Sequence, residues 1–202
     1  MVKFVVIIGV ILWGFLDIPG YASGDQPSGN KDQQTVTLEL PINHFIEKKV
    51  SLFVKVPKDF RPLQSMNEAR RMLEFILQGD DEWKWSRIIT LNVEIGSETS
   101  AVIYRDTFKS MFQSQAESCE FLEEEIKAYE DYESATLAMS YTTKGRKEVI
   151  YMRLYSGPAD LCAIQYAKAL AKGETPQQAL TELKAFVSTI AQVGEGAKVS
   201  GK

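Results

Sequence analysis

The sequence predicts an α+β fold, a mostly antiparallel sheet with helices packed on it. Three observations lead there. Several segments rich in Val, Leu, Ile and Phe alternate apolar and polar residues, the period of a strand with one buried face. Two longer stretches switch to the helical period. The elements run as four strands, a long helical stretch, three strands and one helix. No βαβ repeat runs through that order, which points to helices segregated onto an antiparallel sheet.

The first strands are expected in TVTLELP, with Val36, Leu38 and Leu40 on one face, and in VSLFVKVP, with Val50, Leu52, Val54 and Val56 opposite Phe53. Pro57 ends the second strand because proline cannot donate to a ladder. Residues 58–69 read as a loop anchored by Phe60 and Leu63. RRMLEFILQ and RIITLNVEIG are the third and fourth strands, the latter with Ile89, Leu91, Val93 and Ile95 facing one way. Between them QGDDEWKWSR carries a strong turn signal in Gly79-Asp80-Asp81. Glycine allows positive φ and aspartate bonds its own backbone, so the stretch is read as a hairpin connection.

Tyr104, Phe108, Met111 and Phe112 make a helical stripe after a cap at Ser97 or Thr99. Residues 116–133 read as a continuation of that helix, with Cys119, Leu122, Ile126 and Tyr129 on one face and glutamates on the other. SATLAMSYT and EVIYMRLYS form a strand pair about the turn at residues 143–146. ADLCAIQYAKAL alternates like a strand but is rich in alanine like a helix; strand is preferred, because it gives its predecessor a hairpin partner. TPQQALTELKAFVSTIAQV is the clearest helix, with Thr175 and Gln178 as a capping box, Pro176 at the first position and Gly194 as the stop.

The ends of the chain bear on compartment. Lys3 is followed by an apolar run from Phe4 to Leu16, and Pro19-Gly20 breaks it. Gly20 and Ala22 place small residues at −3 and −1 of a cleavage point, the pattern of a secretory signal peptide over residues 1–22. The run is shorter than the roughly twenty apolar residues a spanning helix needs, so no membrane span is expected after cleavage. Residues 23–34 are polar, without an aliphatic side chain, and are expected to be a flexible leader. The single folded domain is placed at 35–193 and a flexible tail at 194–202. The protein is therefore expected in the periplasm or secreted.

The net charge is −4, without a basic patch. That leaves nucleic-acid binding without an electrostatic footprint. The two cysteines, Cys119 and Cys162, are expected to pair as a disulfide, since even cysteines in an exported chain commonly do. By loop entropy such a bond would contribute about 4 kcal/mol.

Candidate chemistry is sparse. Asp80, Asp81 and Glu82 are consecutive, unlike the alternate oxygens of a calcium loop. Trp83 and Trp85 could stack on a flat ligand or cover the open end of the sheet; together with Asp80 and Asp81 they form the candidate ligand or partner surface. His44 is the only histidine, so any Ser-His or Cys-His nucleophile would need it. The acidic residues between Glu117 and Glu133 could supply paired carboxylates but read more simply as a polar face. Walker, GxGxxG and CxxC motifs are missing from the sequence. Catalytic residues, cofactor and metal are accordingly not expected.

Val56, Pro57, Lys58 and Phe60, then Phe75, Ile76, Gln78 and Gly79, then Trp85, Ser86, Ile89 and Thr90 follow the short motifs of a PsbP/Mog1-like domain. Leu77 departs from the proline common there. The resemblance implies an α/β/α sandwich and a binding or assembly role without enzymatic activity, and it carries over no active-site residue. The sequence also resembles small exported proteins of Gram-negative bacteria. An exported accessory protein acting on an envelope or extracellular protein partner is the first expectation. A cell-surface or host-contact factor and a carboxylate-dependent hydrolase of cell-wall material are the alternatives.

Overall fold

The structure is a computed structural model, and it describes residues 36–42, 50–63, 72–158 and 160–195. All of them belong to the compact unit Thr35–Lys202. The signal peptide, the leader, the tail beyond residue 195 and His44 lie outside the described residues.

The chain order is β1 (Val36–Pro41), β2 (Val50–Val56), β3 (Phe60–Pro62), β4 (Met72–Leu77), β5 (Arg87–Ile95), α1 (Ala101–Gln115), β6 (Ser118–Ala128), β7 (Glu133–Thr143), β8 (Arg146–Ser156), β9 (Asp160–Ala169), α2 (Pro176–Ile190) and β10 (Ala191–Glu195). A seven-stranded sheet has the order β3-β4-β5-β9-β8-β7-β6, and a three-stranded sheet the order β1-β2-β10. Every pairing is antiparallel.

One face of the large sheet meets α2 and the small sheet. Ile89 and Leu91 of β5, Ile164 and Tyr166 of β9, Leu52 and Val54 of β2, and Leu183 and Val187 of α2 share that core. Each fully buried aliphatic side chain there contributes about 1.5–3 kcal/mol. The opposite face meets α1 through Tyr104, Phe108 and Phe112, and Phe112 sets its ring edge-on to Tyr141 of β7 at 4.6 Å.

β9 is a strand because it is the central one. With β5 and β8 on its two sides it is buried from Asp160 through Ala167, and a strand covered on both faces loses its polar alternation. Its alanines fall at Ala163, Ala167 and Ala169, on the face opposite Cys162, Ile164 and Tyr166.

Four expectations are corrected. Residues 118–128 are strand β6, not helix. A bulge between Phe121 and Glu123 inserts Leu122 and shifts the alternation by one, so the apolar residues fall at spacings that imitate a helix. Ser100, not Ser97 or Thr99, caps α1, accepting from Ile103 N at 3.2 Å. Phe60 belongs to a short strand, β3, rather than to a loop. Gly194 does not stop α2; the helix passes at Ala191 directly into β10, where Gly194 pairs with Ser51. Thr175 and Gln178 do form the capping box of α2.

Candidate functional site

The QGDDEWKWSR stretch joins β4 to β5 as a hairpin connection. Asp80 N donates to Leu77 O at 3.1 Å, and Gly79 takes a φ of 90° in that turn, a conformation that costs a side chain but not glycine. The Asp80 carboxylate accepts from Ser86 N at 2.6 Å and Ser86 Oγ at 2.8 Å. The Asp81 carboxylate accepts from Trp83 N at 2.8 Å. Both acids are thus spent on holding the connection closed, as short polar side chains do in turns.

Two arginines from elsewhere in the fold clamp the same segment. Arg61 Nη2 donates to Asp80 O at 2.9 Å and Arg61 lies 3.8 Å from Glu82. Arg146, at the β7–β8 turn, donates to Trp85 O and lays its guanidinium over the Trp85 ring at 4.4 Å, a cation–π contact. Arg146 also pairs with Glu148 at 2.7 Å, and the Tyr141 hydroxyl donates to the other Glu148 oxygen. Burial pushes the Glu148 carboxyl above its ordinary range, against the Tyr141 hydrogen bond and the Arg146 charge, which lower it. Burial and the Glu148 charge push the Tyr141 phenol up, so Tyr141 stays the donor.

The two tryptophans have separate fates. Trp85 is half-buried under Arg146, whereas Trp83 is 70% exposed, more than the other large apolar residues exposed among those described. They do not form one stacking platform. Arg61, Arg146, Glu148 and Tyr141 were not legible as parts of this site. Arg146 and Trp85 are 61 residues apart in sequence, and only the strand order places one hairpin end beside the other.

Cys119 and Cys162 are free thiols, which corrects the expected disulfide. Cys119 is on β6 and Cys162 on β9, with β7 and β8 between them. Three strand spacings alone separate them by about 14 Å, well beyond disulfide reach. Cys119 Sγ lies 3.9 Å from Met139 Sδ. Cys162 is fully buried, and desolvation pushes its thiol up.

Among the described residues, no group of three or more His, Cys, Asp or Glu could hold a metal ion, and no helix is long and apolar enough to cross a membrane. No family model matches the sequence, and no curated protein matches it.

Solved structures do match. The Ran-binding protein Mog1p of Saccharomyces cerevisiae aligns with a TM-score of 0.50 and 11% identity, over 79% of this chain and 96% of that one. The chain has a PsbP/Mog1-like fold. LpqN, described as involved in cell envelope biogenesis of Mycobacterium tuberculosis, aligns at 0.49 with 13% identity, over 78% and 91% of the two chains. Cyanobacterial PsbP from Synechocystis aligns at 0.47 with 12% identity, over 71% and 86%. At these identities the likeness is one of fold, and fold alone does not assign function.

Proposed function

We propose that this is an exported, non-enzymatic accessory protein that acts through protein contacts, with Trp83 as an anchor. One observation carries the reading. Trp83 is 70% exposed on a connection fixed by Asp80, Asp81, Arg61 and Arg146. A large aromatic held out on a pre-ordered support loses little entropy when a partner covers it. Such residues concentrate binding energy at interfaces. Export rests on the signal-peptide pattern of residues 1–22. The hydrolase alternative is disfavoured because the hairpin itself consumes the carboxylates of Asp80 and Asp81.

A photoreactive residue placed at position 83, and at exposed Lys172 as a control, tests the proposal in the native cell. The expected result is one discrete protein adduct from position 83, none from 172, and a mature mass beginning at Ser23. Equal labelling from both positions, or a mass retaining Met1, overturns it.

A further inference from the structure

Beside the β6–β7 hairpin, the sheet face that carries α2 holds a group of tyrosines around one arginine. The register sets the side chains in rows. Glu125, Thr136, Arg153 and Ile164 lie side by side on β6, β7, β8 and β9, and Lys127, Ser134, Tyr155 and Cys162 form the next row. Arg153 lays its guanidinium over the Tyr155 ring at 5.8 Å. Tyr132, from the hairpin loop, meets the same Tyr155 ring at 6.2 Å. It also stacks on Tyr129 at 4.5 Å, with 15° between the planes. Tyr129 is 49% exposed, so the stack opens to solvent.

The charges of this face do not cancel. Lys127 pairs with Glu125 at 2.9 Å, and Lys184 with Glu123 at 2.6 Å. Arg153 is half-buried and forms no ion pair among the described residues, neither with those two glutamates nor with Glu130 or Asp131 of the loop. Thr136 stands between it and Glu125 in the row, a backbone separation of about 10 Å. An arginine drawn partly out of water ordinarily recovers its hydration by pairing with a carboxylate. Here the guanidinium is the one cation of the three left over.

The groups around it are donors. Burial holds the Tyr132, Tyr151 and Tyr155 phenols above their ordinary range, against the pull of Arg153, so all three keep their protons. Arg153 and Lys127 repel a cation, which removes the usual ligand of a tyrosine cage. A planar carboxylate matches the guanidinium fork, and a flat body matches the stacked rings. One uncompensated charge suits a monoanion better than a phosphate dianion.

We propose that Arg153, Lys127 and the Tyr129–Tyr132 stack form a binding site for a small aromatic carboxylate. The carboxylate lies on the Arg153 fork and the ring lies against the tyrosine pair. The site goes beyond the reading of the chain as a protein-contact module and uses a different surface from Trp83.

The test titrates benzoate into the protein and follows the tyrosine ring signals and the Arg153 side-chain Nε–H by NMR. Benzyl alcohol, benzylammonium and inorganic phosphate are the controls. Benzoate is expected to shift both sets of signals with a Kd on the order of 1 mM, and each control to bind about tenfold more weakly or not at all. Arg153→Gln is expected to weaken benzoate about tenfold or more, and Tyr129→Leu, at an exposed position, about threefold or more. Trp83→Ala is expected to leave it unchanged. Absence of benzoate shifts at Arg153 and the tyrosines overturns the proposal. So does phosphate binding as tightly as benzoate, which would reduce the site to charge, or benzyl alcohol doing so, which would reduce it to apolar contact. These ligand comparisons use the unaltered protein and hold whatever Arg153→Gln does to folding. Failure here leaves the Trp83 cross-linking result standing, and failure at Trp83 leaves this one standing.

Discussion

The two faces of the seven-stranded sheet are held by different physics. On the α2 face, the helix contributes Ala179, Leu180, Leu183, Val187 and Ile190, all buried, and Tyr166 stacks on Phe186 at 4.1 Å. On the α1 face the buried set includes Arg105, Glu148, Gln165 and Thr90. There Asn92 donates to the Tyr104 hydroxyl at 3.2 Å, the Ala101 N–H donates to Ser156 Oγ at 2.8 Å, and Lys109 lies over the Phe121 ring at 4.7 Å. Burial and the Glu94 charge push the Tyr104 phenol up to about 12, so it stays protonated there. The first face is stabilised by apolar area, and the second by aromatic contacts with satisfied polar groups. The α2 face should suffer most from truncation at its centre, and the α1 face should answer to pH through its buried Glu148.

The largest expected contrast is between the thiols, one on each face. Cys162 reacts only when the core opens, so alkylation at Cys162 should be about a thousandfold or more slower than at Cys119 in the native protein. Mass spectrometry of timed iodoacetamide labelling reads this directly. Comparable rates would mean that the α2 face is not a closed core.

Truncation comes next. Leu183→Ala removes a fully buried side chain and should cost about 3 kcal/mol in urea unfolding. Lys109→Ala breaks the exposed pair with Glu124 and should cost less than about 1 kcal/mol. A reversed order would abolish the contrast.

The smallest effect is electrostatic. The folded state raises the Glu148 carboxyl above its ordinary value of 4.5, so the fold keeps a proton that the unfolded chain has released. Stability should therefore fall as pH rises from about 4.5 through the raised value, and Glu148→Gln should flatten that fall. Urea midpoints across this range for both proteins decide it. Parallel profiles would assign the pH dependence elsewhere.

Strands β1, β2, β4, β5, β7 and β8 and helix α2 were legible in the sequence, because each keeps a period or is bounded by its own cap or turn, whereas β9 could be read as a strand only from the hairpin partner it gives β8. Thr175-Pro176 with Gln178 marks α2 locally, and Gly79-Asp80-Asp81 marks the β4–β5 connection. β6 was not legible because one inserted residue, Leu122, breaks its alternation. β3 and β10 are short, and only their partners make them strands. Within the candidate site, the turn-forming role of the two aspartates could be read. The clamp of Arg146 on Trp85 could not, since nothing near either residue refers to the other.

By itself the sequence determined the α+β class, the closed hairpin at Gly79–Ser86 and the helix start at Thr175, because periodicity, turn chemistry and capping act over a few neighbouring residues. Tertiary structure alone decided the rest. It put β9 at the centre of the sheet and so parted the two cysteines. It brought Arg146 over Trp85 and left Trp83 outside. It also left β6 as a long edge. Each of these depends on strand order, and strand order is set by which faces bury best together across the whole chain.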